Sequence, residues 1–137
     1  MDIVSHAVAG ACTGAAFGRP ILGAVFGVLP DVVIATKSRL QLPTEGYNFT
    51  HSLTFLLFFG LMGGGMFQSW VPFLALLSHL VLDIPTHGRI WAPPLLYPFN
   101  DRRFSLGEEW EWFNASWLKG LTLTIIWSGA WLAVSSQ

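Results

Sequence analysis

The chain has 137 residues, of which 53% are hydrophobic and 11% are charged, and its formal net charge is −1. A soluble domain carries roughly 25% charged residues, so this composition argues against a soluble globule and excludes intrinsic disorder. The near-zero charge creates no field that would recruit nucleic acid. The single cysteine, Cys12, excludes an internal disulfide and a cysteine-based zinc site. We therefore expect one membrane-embedded domain, residues 1–137, that does not bind nucleic acid.

Five apolar stretches follow one another along the chain, and each predicts a short membrane helix. They cover Ile3–Gly18, Ile21–Ala35, Ser52–Phe67, Val71–Ile84 and Leu118–Val134. All are shorter than the ~20 residues that span a hydrocarbon core, which a bundle tolerates when the bilayer thins or a segment enters only partway. The pattern predicts an all-α, polytopic membrane helical bundle of four to five short helices.

The connections between these stretches predict how the helices pair. Short turns at Arg19-Pro20 and Gln68-Ser69 indicate two tight helical hairpins, followed by a separate C-terminal helix. Residues 36–50 and about 85–116 are predicted to be polar loops, and the second contains four prolines that argue against a helix. If all five stretches cross the membrane, one face holds nearly all basic residues: Lys37, Arg39, Arg89, Arg102, Arg103 and Lys119. The positive-inside rule then predicts a multi-pass protein with its N-terminus and both long loops in the cytoplasm.

Six ionisable residues lie within or beside the apolar stretches, and the presence of each in such a segment requires an explanation. They are His6, Asp31, His51, His79, Asp83 and His87. An aspartate at the centre of a membrane helix costs about 2.5–3.5 kcal/mol on insertion scales. Such residues therefore mark candidate functional sites.

Glycine series in the first hairpin predict how two of these residues meet. The first helix carries His6, Gly10, Gly14 and Gly18 at intervals of four, and the second carries Gly23, Gly27 and Asp31. Such series let two backbones approach closely in a membrane. Folding about Arg19-Pro20 sets Gly18 beside Gly23, Gly14 beside Gly27 and Gly10 near Asp31. His6 then lies about one turn, roughly 6 Å, from the level of Asp31.

The second hairpin brings the remaining residues to the same end. His79 and Asp83 are four residues apart and share one helix face. Folding about Gln68-Ser69 brings His51 to the level of Thr86-His87, one turn from Asp83. Each residue alone also fits a simpler interpretation: an interfacial histidine, an i,i+4 hydrogen-bonded pair, or Asp31 as a helix cap. Together they predict a metal site of imidazoles and carboxylates, which suits one or two divalent ions, zinc first and manganese or iron as alternatives.

Five segments of the chain also occur in a recognisable order. They are Asp2–Gly10, Leu29–Asp31, Thr50–Ser52, His79–Gly88 and Tyr97–Ser105. Over residues 1 to about 107 this order resembles the YdjM-like family of inner-membrane, metal-dependent hydrolases. The resemblance implies a location in a bacterial-type inner membrane.

The same order is similar to that of zinc-dependent phospholipase C, a helical fold with a multi-zinc site. This similarity implies that His6 and Asp31 share one metal, that His51, His79 and Asp83 hold another, and that His87 helps to bind a further zinc. The chain departs from those enzymes in having no later His-x-x-x-Glu pair and no N-terminal Trp. A third metal site and phospholipase activity as such would therefore lack residues that those enzymes use.

The sequence thus predicts a membrane-bound hydrolase that cleaves a phosphoester or lipid-headgroup-type bond at the cytoplasmic face, with membrane lipid as partner or substrate. Asp31 or Asp83 could act as a general base instead of a ligand. Arg102 and Arg103 could hold a substrate phosphate, or could simply anchor the loop at the cytoplasmic side. Glu108, Glu109 and Glu111 are interpreted as solvated loop acids rather than ligands.

Two other classes of function stay open. His and Asp chains also mark pathways for a metal ion or a proton, so the chain could bind or conduct one without catalysis. A polar seam could also serve only to fix helix packing. The far half of the predicted bundle has Gly, Phe, Leu and Trp in place of polar groups, which favours a one-sided site over a conduit.

Overall fold

The computed structural model describes residues 1–32, 44–106 and 115–136. These residues form six α-helices and no strand, which confirms the all-α fold class for this part of the chain. The helices are α1 (Ile3–Ala15), α2 (Pro20–Val28), α3 (Glu45–Thr50), α4 (Leu53–Phe67), α5 (Val71–Thr86) and α6 (Ala115–Ser135). Two short 3-10 helices cover Leu29–Asp31 and Arg89–Trp91.

Side-chain caps fix where three of these helices begin. Asp2 accepts hydrogen bonds from the Ser5 backbone N–H and the Ser5 hydroxyl, at 2.9 and 2.7 Å, at the start of α1. Thr44 caps α3 and Ser52 caps α4 in the same manner. Such caps satisfy backbone donors that have no partner within the helix. Ser52 thereby fixes the point at which the chain turns from His51 into α4.

Helix α5 is the centre of the bundle and packs against α1, α2, α4 and α6. One apolar cluster joins α4 and α5 through Phe55, Leu56, Leu76 and Leu80. A second cluster joins α1, α5 and α6 around Ala9 and Leu82, with Trp127 packed against it. The two predicted hairpins, α1–α2 and α4–α5, are therefore present and lie side by side.

The register of the first hairpin differs from the prediction by about one turn. Gly14 lies against Gly23, and Gly10 lies against Gly27. The fold-back point is Gly18, whose φ of 68° is in the left-handed region that favours glycine, and not Arg19-Pro20. Because the turn comes earlier, α2 is shifted toward the start of α1.

Both predicted polar loops contain helix, so the loop boundaries were wrong. Residues 33–43 of the first lie outside the described part of the chain, but α3 occupies its end. In the second, α5 continues through Pro85 to Thr86, a 3-10 turn follows, and α6 begins before the predicted boundary. Proline is tolerated here because it is one residue from the helix end and removes a single backbone hydrogen bond. Glu108, Glu109 and Glu111 lie outside the described residues.

Among the described helices, α6 is the one that is long and apolar enough to cross a membrane, over Trp117–Val134. Most of that window is exposed on the surface of the bundle. Four shorter apolar segments accompany it: Ile3–Ala15, Pro20–Asp31, Leu53–Phe67 and Val71–Thr86. The regular secondary structure of the described residues is therefore entirely helical, and these residues contain one candidate membrane span.

Candidate metal centre

Five of the six predicted site residues meet at one end of the bundle. His6 comes from α1, Asp31 from the 3-10 helix after α2, His51 from the α3–α4 junction, and His79 and Asp83 from α5. The side chains of His6, His51, His79 and Asp83 have no exposed surface, and that of Asp31 is 10% exposed. The shifted register of the first hairpin explains why His6 reaches Asp31, since it brings the two to the same level.

Potential ligand atoms in this cluster fall into two groups of three. His51, His79 and Asp83 form one group, as the second predicted set requires, and His6, Asp31 and His79 form the other. Within each group the ligand atoms lie within 4.8 Å of one another. His79 belongs to both groups, which the sequence did not predict.

Five distances among four of these atoms match the spacing of ligands around a small divalent cation. His79 Nε2 lies 3.2 Å from His51 Nε2 and 3.2 Å from Asp83 Oδ2. Asp31 Oδ1 is 3.4 Å from His51 Nε2 and 3.7 Å from His79 Nε2, and the His51–Asp83 distance is 3.6 Å. Zinc bonds of about 2.0–2.2 Å place tetrahedral ligand atoms roughly 3.3–3.6 Å apart. The residues present therefore fit a metal ion by geometry.

Hydrogen bonds at the opposite nitrogens determine the tautomer of both imidazoles. His79 Nδ1 lies 2.7 Å from the carbonyl oxygen of Gly27, and His51 Nδ1 lies 3.0 Å from that of Tyr47. A carbonyl oxygen can only accept, so Nδ1 of each ring carries a proton, and in the neutral ring Nε2 then presents a lone pair. Metal-binding histidines typically donate their second N–H in this manner.

Two lone pairs that face each other at 3.2 Å cannot form a hydrogen bond. Either an added proton or a metal ion must lie among them for the arrangement to be stable. Asp83 Oδ2, which faces the same point, is buried and has no hydrogen-bond partner among the described residues. A bound cation would satisfy all three atoms at once.

Burial also keeps the His51 ring neutral. Loss of hydration lowers the pKa of the His51 imidazole from its usual 6.5, against the opposing effect of the Asp31 carboxylate. A neutral imidazole is the form that binds metal.

The family comparison agrees with the features described so far. The family model described as YdjM inner membrane protein matches residues 1–136. The chain belongs to the YdjM family. Comparison with curated proteins and with solved structures gives no match. The expected similarity to zinc-dependent phospholipase C gains no support from these comparisons and stays a prediction.

In this YdjM family member, His6 and His87 lie beside the metal centre, where both contact the Oδ1 atom of Asp83. His6 Nε2 and His87 Nδ1 lie 2.9 and 3.0 Å from that oxygen, and the Met1 amine lies 2.9 Å from it. The His6 ring also stacks on His79, with ring centroids 3.7 Å apart. His87 is outside both three-residue groups, so its predicted role as a ligand to a further metal stays a prediction.

The two arginines predicted to bind substrate occupy different environments. Arg103 donates to the carbonyl oxygen of Ala92 at 3.0 Å and to Asn48 Oδ1 at 2.9 Å, so it ties α3 to the loop after α5. Arg102 is exposed, and its guanidinium lies 5.8 Å from the centre of the Phe104 ring. Arg102 is thus the more available of the two for a ligand.

Tyr47 is a residue of this site that the sequence did not single out. Its ring stacks on His51 with centroids 3.8 Å apart and planes 20° apart, while its hydroxyl donates to the carbonyl oxygen of Trp91. Burial raises the pKa of the Tyr47 phenol well above its usual 10, so this donor keeps its proton. In the sequence, only its position four residues before His51 pointed to a role in the site. A single tyrosine in a segment predicted to be a loop does not by itself indicate a functional residue.

We expect Tyr47 to act by holding the His51 ring in place. Tyr47→Leu removes the stacked ring and should weaken metal affinity by about 10–100-fold, as losses of outer-shell partners do. Tyr47→Phe keeps the ring and the backbone carbonyl, and should retain most of the affinity. Competition with a chromogenic chelator measures both variants. Equal affinity in Tyr47→Leu and the wild type would show that the ring has no positioning role.

Proposed function

We propose that this YdjM family member is a membrane-embedded, metal-dependent hydrolase that cleaves a phosphoester or lipid-headgroup-type bond. The observation that carries the proposal is the convergence of the Nε2 atoms of His51 and His79 with the carboxylates of Asp31 and Asp83, each nitrogen lying 3.2 to 3.7 Å from the other nitrogen and from both carboxylates. A purely structural hydrogen-bond network alternates donors and acceptors, whereas these four atoms are all acceptors when both imidazoles are neutral and carry their proton at Nδ1. Such a set attracts a cation.

The types of ligand atom in the centre restrict which metal ions it can bind. Two imidazoles with carboxylates, and no thiolate, suit zinc, manganese or iron, and we propose zinc as the resident ion. Because His79 Nδ1 is bonded to Gly27, this residue offers the single atom Nε2 to both ligand groups. The two groups would therefore compete for one nitrogen.

The carboxylates are suited to different tasks in hydrolysis. A bound divalent ion would polarise the scissile group and lower the pKa of a water molecule. Asp83 is fixed by His6 and has no exposed surface, so it serves as a ligand. Asp31 has 10% of its side chain exposed, and it is therefore placed to accept a proton from an attacking water. Arg102 would bind the substrate phosphate from the loop.

The proposed location follows from the family and from charge. The centre includes the end of α5 that leads into the loop with Arg89, Arg102 and Arg103, and the positive-inside rule would place this end at the cytoplasmic side of the inner membrane. The four shorter apolar segments would then join α6 as further membrane segments of a polytopic bundle. A lipid headgroup is the substrate class nearest to such a site.

A second candidate function is metal binding without catalysis. Structural metal sites are closed, while catalytic sites keep an open position. Four of the five converging side chains have no exposed surface, which favours this alternative. An ion held there would join α1, the 3-10 helix, the α3–α4 junction and α5.

Metal analysis combined with a hydrolysis screen separates the two functions. The protein, purified in detergent and returned to phospholipid nanodiscs, is assayed for metal content and for cleavage of phospholipids and of a generic phosphodiester. We expect about one divalent ion per chain and hydrolysis that stops on chelation and returns with zinc. Asp31→Asn should reduce hydrolysis more than metal content, whereas Asp101→Asn, a loop carboxylate, should change neither. Full metal content without hydrolysis would favour the alternative, and absence of metal would contradict both.

A further inference from the structure

The segment of residues 88–106, here called the 88–106 loop, has a defined position against the bundle. The Leu53 N–H donates to the carbonyl oxygen of Leu95 at 2.9 Å, and the Thr54 hydroxyl donates to that of Tyr97 at 2.8 Å. At its far end, the Leu106 N–H donates to the carbonyl oxygen of Ile84 at 2.9 Å. The loop is therefore fixed beside the first turn of α4 and the last turn of α5.

The tip of this loop presents apolar side chains outward. Phe99 is 89% exposed and Leu96 is 44% exposed. The backbone N–H groups of Phe99 and Asn100 both donate to the carbonyl oxygen of Leu96, at 2.9 and 3.1 Å, so a closed turn holds the Phe99 ring away from the bundle. An isolated exposed leucine is ordinary, but a phenylalanine held almost fully outward on an ordered turn indicates a contact surface.

The start of α4, which is bonded to this loop, also exposes apolar side chains. The carbonyl oxygen of Tyr97, two residues before Phe99, accepts a hydrogen bond from Thr54 in the first turn of α4. In that turn Leu53 is partly exposed at 37%, and Leu57 in the next turn is 52% exposed. Exposed apolar side chains are thus present both on the first two turns of α4 and on the loop that is bonded to its first turn.

The polar neighbours of the tip indicate which surface it meets. Arg102 follows Phe99 by three residues and is exposed, and its backbone N–H is fixed by Asn100 Oδ1 at 2.8 Å. An exposed aromatic residue three positions from an exposed arginine is the composition of segments that lie at a membrane interface, where the ring enters the headgroup layer and the cation meets lipid phosphate. Asp101 is also exposed there, and its carboxylate would remain on the water side.

We propose that Leu96, Phe99 and Arg102 form an interfacial anchor, which inserts the tip of the 88–106 loop into the headgroup layer of an anionic bilayer. Ser105 donates to the carbonyl oxygen of His87 at 2.7 Å, so the anchored loop is joined directly to the α5 end that carries Asp83. The anchor therefore holds the metal-centre end of the bundle at the lipid surface. It rests on the membrane location of the YdjM family and requires neither a bound metal nor hydrolysis.

Site-directed spin labelling tests this anchor directly. In a Cys12→Ser background, nitroxide labels are attached at Phe99→Cys and, as a matched control, at the adjacent exposed position by Asn100→Cys. Each protein is placed in nanodiscs of phosphatidylcholine alone or with added phosphatidylglycerol. The collision rate of each label with oxygen, which concentrates in lipid, is then compared with its collision rate with a water-soluble nickel chelate. The comparison measures how deep the label lies in the bilayer.

We expect the label at position 99 to favour oxygen over the nickel chelate, and the label at position 100 to show the reverse. The difference should grow with phosphatidylglycerol, and Arg102→Gln should remove that dependence on lipid charge. Equal accessibility to nickel at both positions would overturn the anchor. Low accessibility of position 99 to both reagents would also overturn it, because the tip would then contact protein and not lipid.

Discussion

Replacing any one of His51, His79 and Asp83 by alanine should empty the metal centre. Each contributes one atom to a group whose ligand atoms lie within 4.8 Å of one another, and none has exposed surface through which water could replace it easily. Loss of an outer-shell partner weakens metal affinity by about 10–100-fold, so loss of a ligand should exceed that range. His79→Ala should be the most severe, since His79 is shared by both groups.

The losses of metal content and of hydrolysis in these variants should not be additive, because the three residues hold one ion as a unit. Once the first ligand is removed, a second substitution should lower metal content and hydrolysis little further. Asp83→Ala should also destabilise the fold by about 1–3 kcal/mol, because His6 Nε2 loses its buried hydrogen-bond partner at 2.9 Å. Asp83→Asn keeps the shape and separates the loss of charge from the loss of packing.

Elemental analysis, thermal unfolding and the hydrolysis assay measure these effects together. Asp101→Ala removes an exposed carboxylate in the 88–106 loop and should leave metal content unchanged. Glu108→Ala and Glu111→Ala should likewise have little effect. Full metal content in all three ligand variants, or an equal loss in the loop variants, would contradict the proposed centre.

The residues of this centre could be predicted from sequence because an ionisable group is costly in an apolar segment. That cost singled out His6, Asp31, His51, His79 and Asp83, and the structure brings all five together. The four-residue spacing of His79 and Asp83 placed them correctly on one face of α5. The positions of the apolar helices followed from the same contrast between apolar and polar segments.

The pairing within the site could not be predicted, because it depends on distances between helices. The similarity to zinc-dependent phospholipase C implied His6 and Asp31 as one set and gave His79 to the other. The structure stacks His6 on His79 at 3.7 Å and gives His79 to both. The fold-back point was also misplaced, since the proline was taken as the turn while Gly18, with its positive φ, makes it.

Short helices escaped prediction for a related reason. Helix α3 has six residues and no repeated apolar face, and it depends on the Thr44 cap and on tertiary contacts of Tyr47. An isolated helix of this length is not stable in water. Helix α3 is stabilised by packing against His51 and the 88–106 loop. Neither the helix nor the role of Tyr47 could therefore be predicted from a local sequence pattern.

The glycine contact between α1 and α2 should be as important for metal binding as the ligands themselves. Gly27 is buried, and a Cβ added there would lie 2.6 Å from the backbone oxygen of His6 and 3.1 Å from Gly10 Cα. The carbonyl group of Gly27 also fixes the His79 ring at 2.7 Å. Gly27→Ala must therefore push α2 away from α1, which moves the histidines of both ligand groups at once.

We expect Gly27→Ala to destabilise the protein by about 1–3 kcal/mol or more through overpacking, and Gly27→Leu to prevent assembly of the hairpin. Metal content should fall in both variants although no ligand has changed, and Gly14→Leu should have the same effect because its Cβ would meet Gly23 at 3.0 Å. Gly65→Ala is the matched control, since this exposed helical glycine has nothing within 4 Å of an added Cβ. It should stabilise α4 by up to about 1 kcal/mol, because alanine is the better helix former. Thermal unfolding in nanodiscs and elemental analysis compare the variants, and unchanged stability and metal content in Gly27→Ala would show that the two backbones do not meet as described.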